Sequence, residues 1–164
     1  MSLVATGHVA LLAVSTLTTA ALAAYAWHNR AEHGARAFAG LMLSFTLYSG
    51  GHLVGLLTLD PVWRLVWDGV KWTGTAAVPV FWVLFVVEYT GYDEFLDRRT
   101  AGLLSVLPLL TVGLAWTNSL HRLVWTSRDR VAVVDGLAIL VDAVGPWIWV
   151  FAVFSYVVVG VSSL

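Results

Sequence analysis

The sequence predicts an all-α integral membrane protein, a five-helix transmembrane bundle with a small extracellular β-hairpin between helices 4 and 5. Apolar residues make up 59% of the 164 residues and charged residues only 12%, whereas soluble domains average about 45–50% and 25%. Five long windows of the chain are nearly free of charge. An Asp-Gly dipeptide lies between two runs of β-forming residues ahead of the last window.

The composition also excludes several classes of function. A formal net charge of −1 leaves no basic excess to neutralise phosphates, so nucleic acid is not an expected partner. The absence of cysteine excludes disulfides, thiolate metal sites and a cysteine nucleophile. The sequence has no nucleophile elbow, no phosphate-binding glycine loop and no paired carboxylates within a span. We therefore expect no enzymatic activity, no cofactor and no bound metal.

The charge-poor windows define the predicted spans of a single membrane domain, residues 1–164. A bilayer core about 30 Å thick requires about 20 helical residues. The third window, 72–91, follows a Trp-rich segment that we interpret as an outer extension of the same helix, and Asp60-Pro61 reads as a turn or helix start. We interpret the first window as a retained helix, because no Lys or Arg precedes it as in a signal peptide. The predicted spans are 2–27, 37–59, 65–91, 100–117 and 143–164, with an outer loop over 118–142.

Positive charges in the short loops predict the orientation of the chain in the cell membrane. Arg30 and Arg36 lie between the first two spans, and Arg98 and Arg99 lie between the third and fourth. Because cytoplasmic loops are enriched in Lys and Arg, we expect a multi-pass protein with its N-terminus outside and its C-terminus in the cytoplasm.

The loop over 118–142 contains the predicted hairpin. Residues 131–134 and 137–141 are rich in β-forming side chains and flank Asp135-Gly136, the dipeptide that a two-residue type I′ turn prefers. The alternative is an irregular apolar loop. Within the helices, Gly51 and Gly74 predict close approach of neighbouring helices, and we favour packing within one chain over a dimer interface.

Ionisable and aromatic residues at the predicted outer mouth are the candidate ligand-binding residues, namely Asp68, Lys71, Trp72 and His121. Asp68 and Lys71 are three residues apart, so their side chains meet on one helix face. They form either a structural ion pair or a recognition site for a charged ligand.

Other candidate residues lie elsewhere in the spans. Glu88 is an ionisable residue inside span three, which makes it a functional hypothesis; the alternatives are snorkelling or pairing with a loop arginine such as Arg98. His8, His52 and His121 fall on the predicted outer side, but their spacing does not favour a metal site over ordinary interfacial histidines.

Several aromatic segments resemble the N-terminal seven-helix sensor region of archaeal and bacterial histidine kinases. They occur in the family's order, and together they cover roughly Val66 to Tyr156. The segments are Trp67 to Gly74, Pro79 to Trp82, Phe85, Glu88 to Gly91, Pro108, Trp116 to Asn118, Leu120-His121, Val124-Trp125, Gly145 to Trp149, and Phe154 to Tyr156.

The resemblance implies an N-out bundle that acts as a signal-sensing input module. The sequence contains five of the family's seven helices and no kinase core or nucleotide-binding motif, so we expect no autophosphorylation and no kinase output of its own. The partners we expect are the lipid bilayer and a related sensor kinase, with a homo-oligomer as a further expectation. The alternatives are a small transporter or proton or ion pathway, and a non-functional fragment of a longer kinase gene. The excess of Arg over Lys and the absence of Cys are in keeping with a GC-rich archaeal genome.

Overall fold

The computed structural model describes residues 2–91, 98–134 and 136–162, without the side chains of residues 98, 128–131 and 141. The elements in chain order are α1 (Leu3–His28), α2 (Ala35–Leu57), α3 (Pro61–Thr90), α4 (Arg98–Trp116), α5 (Asn118–His121), β1 (Trp125–Val134), β2 (Leu137–Val144) and α6 (Pro146–Ser162). The loop over 92–97 and Asp135 of the predicted turn lie outside the described residues.

Four helices of the described chain, α1 to α4, are long and apolar enough to cross a membrane. They correspond to the first four predicted spans. Helix α6 corresponds to the fifth, but its 17 residues extend for only about 25 Å at 1.5 Å per residue, which is less than a bilayer core. The structure therefore agrees with a membrane helical bundle, with four qualifying spans where five were predicted.

Helix α3 begins earlier than the predicted span because Asp60 caps it. The Asp60 Oδ1 accepts hydrogen bonds from the amides of Val62 at 2.9 Å and Trp63 at 3.0 Å, and Pro61 occupies the first helical turn. Such caps satisfy amides that have no partner within the helix. The Trp-rich outer extension is thus continuous with the span, and α3 runs for 30 residues.

Helices α2 and α3 pack closely because glycines remove side chains from their contact. A Cβ built on Gly74 would lie 2.4 Å from the Ser44 carbonyl oxygen, and one built on Gly51 would lie 2.7 Å from the Lys71 nitrogen. These distances are too short for any side chain. The predicted close approach therefore occurs within one chain, between α2 and α3.

Strands β1 and β2 form an antiparallel pair that is longer than the predicted one. The register runs from Val134 opposite Leu137 to Trp125 opposite Val144, with irregularities near Ser127. Gly136 in the connection has a φ of 81°, a conformation that glycine adopts without strain. The preceding short helix α5 was not predicted.

Candidate functional site

Three charged side chains lie along one face of the first turns of α3. Arg64, Asp68 and Lys71 follow one another at spacings of four and three residues, which places them side by side on a helix. The Asp68 Oδ1 lies 3.7 Å from the Arg64 Nη1 and 2.5 Å from the Lys71 Nζ. Asp68 is only 1% exposed and Arg64 3% exposed. We call these three residues the charge cluster.

The charge cluster is covered by α2 and by the hairpin. Gly55 of α2 lies against the guanidinium of Arg64, since a Cβ built on Gly55 would lie 2.8 Å from the Arg64 Nη1. The Arg64 Nε donates a 3.2 Å hydrogen bond to the carbonyl oxygen of Ala138 on β2. Asp142 of the same strand interacts electrostatically with both Arg64 and Lys71. The hairpin therefore supplies a neutral acceptor to the buried Arg64 and a negative charge that acts on both Arg64 and the half-buried Lys71.

The side chain of Asn118 makes a second set of contacts with the hairpin, at the beginning of β1. Its Oδ1 accepts hydrogen bonds from the amides of Val124 at 3.1 Å and Trp125 at 3.0 Å, and its Nδ2 donates to the Trp125 carbonyl oxygen at 3.0 Å. Asn118 is only 7% exposed. One amide side chain thus satisfies three backbone groups at the start of β1, and it fixes the strand to the first residue of α5.

A groove of about 400 Å³ lies beside the hairpin, between the N-terminal half of α3, which is the half predicted to be outside, and the segment from α4 to β1. Its lining includes Leu65 and Gly69 of α3, Trp116 of α4 and Trp125 of β1. Arg122, which is exposed and has a φ of 54°, lines the groove together with Asn118. The volume of this groove is in the range of ligand-binding pockets, about 300–1,000 Å³. We call it the outer groove.

The predicted outer site residues do not converge on one point. Asp68 and Lys71 pair in the charge cluster, whereas residues from another face of the same helix line the outer groove. Trp72 packs edge-on against Trp125, with ring centroids 5.2 Å apart. The Nδ1 of His121 accepts a 3.0 Å hydrogen bond from the amide of Leu123, so His121 takes part in the local turn.

Glu88 lies near the opposite end of α3, half-buried beside a cavity of about 450 Å³. Arg30, Glu32, His33 and Arg36 line the same cavity. The side chain of Arg98, the predicted pairing partner, lies outside the described residues. Glu88 therefore faces the segment that connects α1 to α2.

Two of the three predicted outer histidines are neighbours. The rings of His8 and His52 have centroids 6.0 Å apart, whereas the described contacts of His121 are with residues 117–123. The described part of the chain contains no group of three or more His, Cys, Asp or Glu side chains that could hold a metal ion.

Arg64, Asp142 and Asn118 are the residues of this site that sequence reasoning missed. The i,i+4 spacing of Arg64 and Asp68 was a signal that could have found the first of them. Asp142 and Asn118 carried no local signal, since their roles depend on where the hairpin folds.

The model of the N-terminal 7TM region of histidine kinase matches residues 11–164. The chain belongs to this family. A search of the curated proteins and one of the solved structures found no match. This 7TM region is thus a membrane-embedded protein whose family supports a sensory input role in general, in agreement with the resemblance seen in the sequence.

Proposed function

We propose that this 7TM region is a signal-input module in which the hairpin transmits a stimulus at the extracellular end to α3. The observation that carries the proposal is the hydrogen bond of the Arg64 Nε to the Ala138 carbonyl oxygen at 3.2 Å, because it joins the hairpin directly to buried charges on the longest helix. The outer groove is the proposed place of stimulus binding.

The physical basis is the balance of charge around Arg64. Movement of the hairpin removes the Ala138 acceptor and the charge of Asp142 from the neighbourhood of Arg64 and Lys71. A buried cation that loses a neighbouring negative charge or hydrogen-bond acceptor raises the free energy of that conformation. Helix α3 therefore shifts toward a conformation in which the cations again have such neighbours. A ligand that binds one hairpin position better than the other moves this equilibrium.

The positive charges of the loop arginines support an N-out orientation, with the hairpin and the outer groove outside the cell. Glu88 then lies at the cytoplasmic end of α3, about 30 Å from Asp68 at 1.5 Å per residue. A change in α3 reaches the segment around Arg30 and Arg36, where we propose that a related sensor kinase makes contact.

The proposal is tested by amide hydrogen exchange on the full chain in lipid nanodiscs. Asp142→Asn removes the exposed hairpin charge that faces Arg64 and Lys71. We expect faster exchange in the first turns of α3 and a changed rate in residues 30–36 at the opposite end. Val133→Thr, an exposed hairpin substitution away from the cluster, is the matched control and should leave both regions unchanged. Changes confined to the hairpin would contradict transmission.

A flux assay separates this function from a proton pathway. Proteoliposomes that contain the chain and a pH-sensitive dye should show no proton flux above that of empty vesicles, because apolar residues form most of α3 between its two ends. Proton flux that Glu88→Gln abolishes would favour the pathway instead. Co-purification with a kinase-bearing member of the same family, compared with an unrelated membrane kinase, tests the partner.

A further inference from the structure

An apolar groove of about 480 Å³ separates α1 from α2 near the end that carries Arg36. Its lining includes the small residues Ala24 and Gly40, the larger apolar residues Trp27, Leu43 and Phe81, and Arg36. We call it the α1–α2 groove.

Hydroxyl groups form hydrogen bonds between α1 and α2 at the end of the α1–α2 groove opposite Arg36. The Thr46 Oγ1 donates a 3.0 Å hydrogen bond to the Thr19 Oγ1, and one turn further the Thr16 Oγ1 donates to the Ser49 Oγ at 3.0 Å. Thr46 itself lines the groove. The two helices are therefore tied together beyond Thr46, and the space between them opens toward Arg36.

The length of the α1–α2 groove corresponds to one leaflet of a bilayer. From Arg36 to Thr46 the groove follows ten residues of α2, which is about 15 Å at 1.5 Å per residue. Half of a hydrocarbon core about 30 Å thick is also about 15 Å. An acyl chain that enters beside Arg36 would end near the hydroxyl pair.

A polar cavity adjoins the mouth of the groove. It has a volume of about 450 Å³, and Arg36 lines both cavities. The Arg36 Nε donates to the Arg30 carbonyl oxygen at 3.2 Å, its one side-chain hydrogen bond among the described residues, so the terminal guanidinium nitrogens remain for an anion. The Arg30 guanidinium lies 5.5 Å from the centroid of the Trp27 ring. Arg30 and Arg36 thus lie where an apolar groove meets a polar cavity whose lining also includes the carboxylates of Glu32 and Glu88. The two guanidinium groups are the cationic contacts that a phosphate-bearing amphiphile requires there.

We propose that the α1–α2 groove and its polar cavity bind one membrane phospholipid. One acyl chain occupies the groove, and the phosphate contacts the guanidinium groups of Arg36 and Arg30. A transmembrane helix of a partner fits less well. A helix is about 10 Å across with its side chains, so a space of this volume holds only about one turn of it.

Native mass spectrometry of the full chain in detergent, titrated with dioleoylphosphatidylglycerol, tests the site. Loss of a charge-assisted contact should weaken binding about tenfold or more in Arg36→Ala. Arg99→Ala is the matched control, because it removes an exposed arginine at the same end of the bundle outside both cavities, and it should leave the affinity unchanged. Ala24→Leu, which fills the groove while Arg36 stays in place, should weaken binding as well. Circular dichroism confirms that each variant folds.

Ligands that lack either the phosphate or the acyl chains decide between the possible occupants of the groove. Dioleoylglycerol, which lacks the phosphate, should bind about tenfold more weakly than the phospholipid, and free glycerol phosphate should not compete. Equal loss of lipid in Arg36→Ala and Arg99→Ala, or equal binding of dioleoylglycerol, would overturn the proposed phosphate contact. Competition by glycerol phosphate, or a second protein chain bound in place of the lipid and sensitive to Ala24→Leu, would overturn the lipid as occupant.

Discussion

The substitution Asp68→Asn should destabilise the protein strongly, because it leaves two cations without their shared carboxylate. Asp68 is 1% exposed and Arg64 3% exposed. Removing one partner of a buried ion pair typically costs about 3–5 kcal/mol. We use the lower end of this range, about 3 kcal/mol, for two reasons. The Lys71 side chain is 19% exposed, so solvent partly compensates its charge. Asp142 also interacts with both cations. We therefore expect a loss of about 3 kcal/mol in the free energy of unfolding.

The assay is reversible unfolding of the full chain in mixed micelles, with sodium dodecyl sulfate as denaturant and tryptophan fluorescence as the signal. Glu32→Gln is the matched control, because it makes the same carboxylate-to-amide change at an exposed position. Exposed substitutions of this kind usually change stability by less than about 0.5 kcal/mol.

The double substitution Asp68→Asn with Lys71→Met separates charge from packing. If an uncompensated cation is the cause of the loss, removing Lys71 as well should recover about 1 kcal/mol or more of it. Asp68→Asn that behaves like Glu32→Gln, or a double variant less stable than Asp68→Asn alone, would show that the ion pairs do not hold this end of α3 together.

Four further substitutions test other contacts by the same unfolding measurement. Asn118→Ala leaves three backbone groups without their partner and should cost about 3 kcal/mol, with faster proteolysis of the hairpin; unchanged proteolysis would contradict its role. Gly74→Ala places a Cβ 2.4 Å from the Ser44 oxygen and should cost about 1–3 kcal/mol, whereas Gly113→Ala, with open space around it, should stabilise α4 by up to about 1 kcal/mol. Gly136→Ala, at a φ of 81°, should cost about 1–2 kcal/mol.

The helices could be predicted from the sequence because a membrane imposes a length and a composition on each one. The predicted first span, 2–27, agrees with Leu3–His28 within one residue at each end. The hairpin could be predicted because Asp135-Gly136 is a local turn signal. Both features depend only on residues that are close in the chain.

The arrangement of the site could not be predicted, because it depends on contacts between distant residues. Arg64 and Ala138 are 74 positions apart, and no local pattern indicates that they meet. Trp72 was expected at the outer mouth because of its neighbours in the sequence, but its contact with Trp125, which is 53 positions away, has no signal in the sequence. Tertiary packing decides which distant residues a helical side chain contacts, and a hydropathy pattern does not contain that information.

The two ends of α3 differ in a way that bears on how a signal could travel between them. At one end Asp68 lies buried between two cations, and at the other Glu88 is half-buried beside a polar cavity. Pro79 lies between them and is buried. Because proline has no amide hydrogen, it leaves the carbonyl oxygen of Thr75 without its helical bond and weakens the helix there. A helix with fixed charges at one end and a weakened turn at its centre is suited to bend when the charges are disturbed, whereas proton conduction would require polar groups at successive depths.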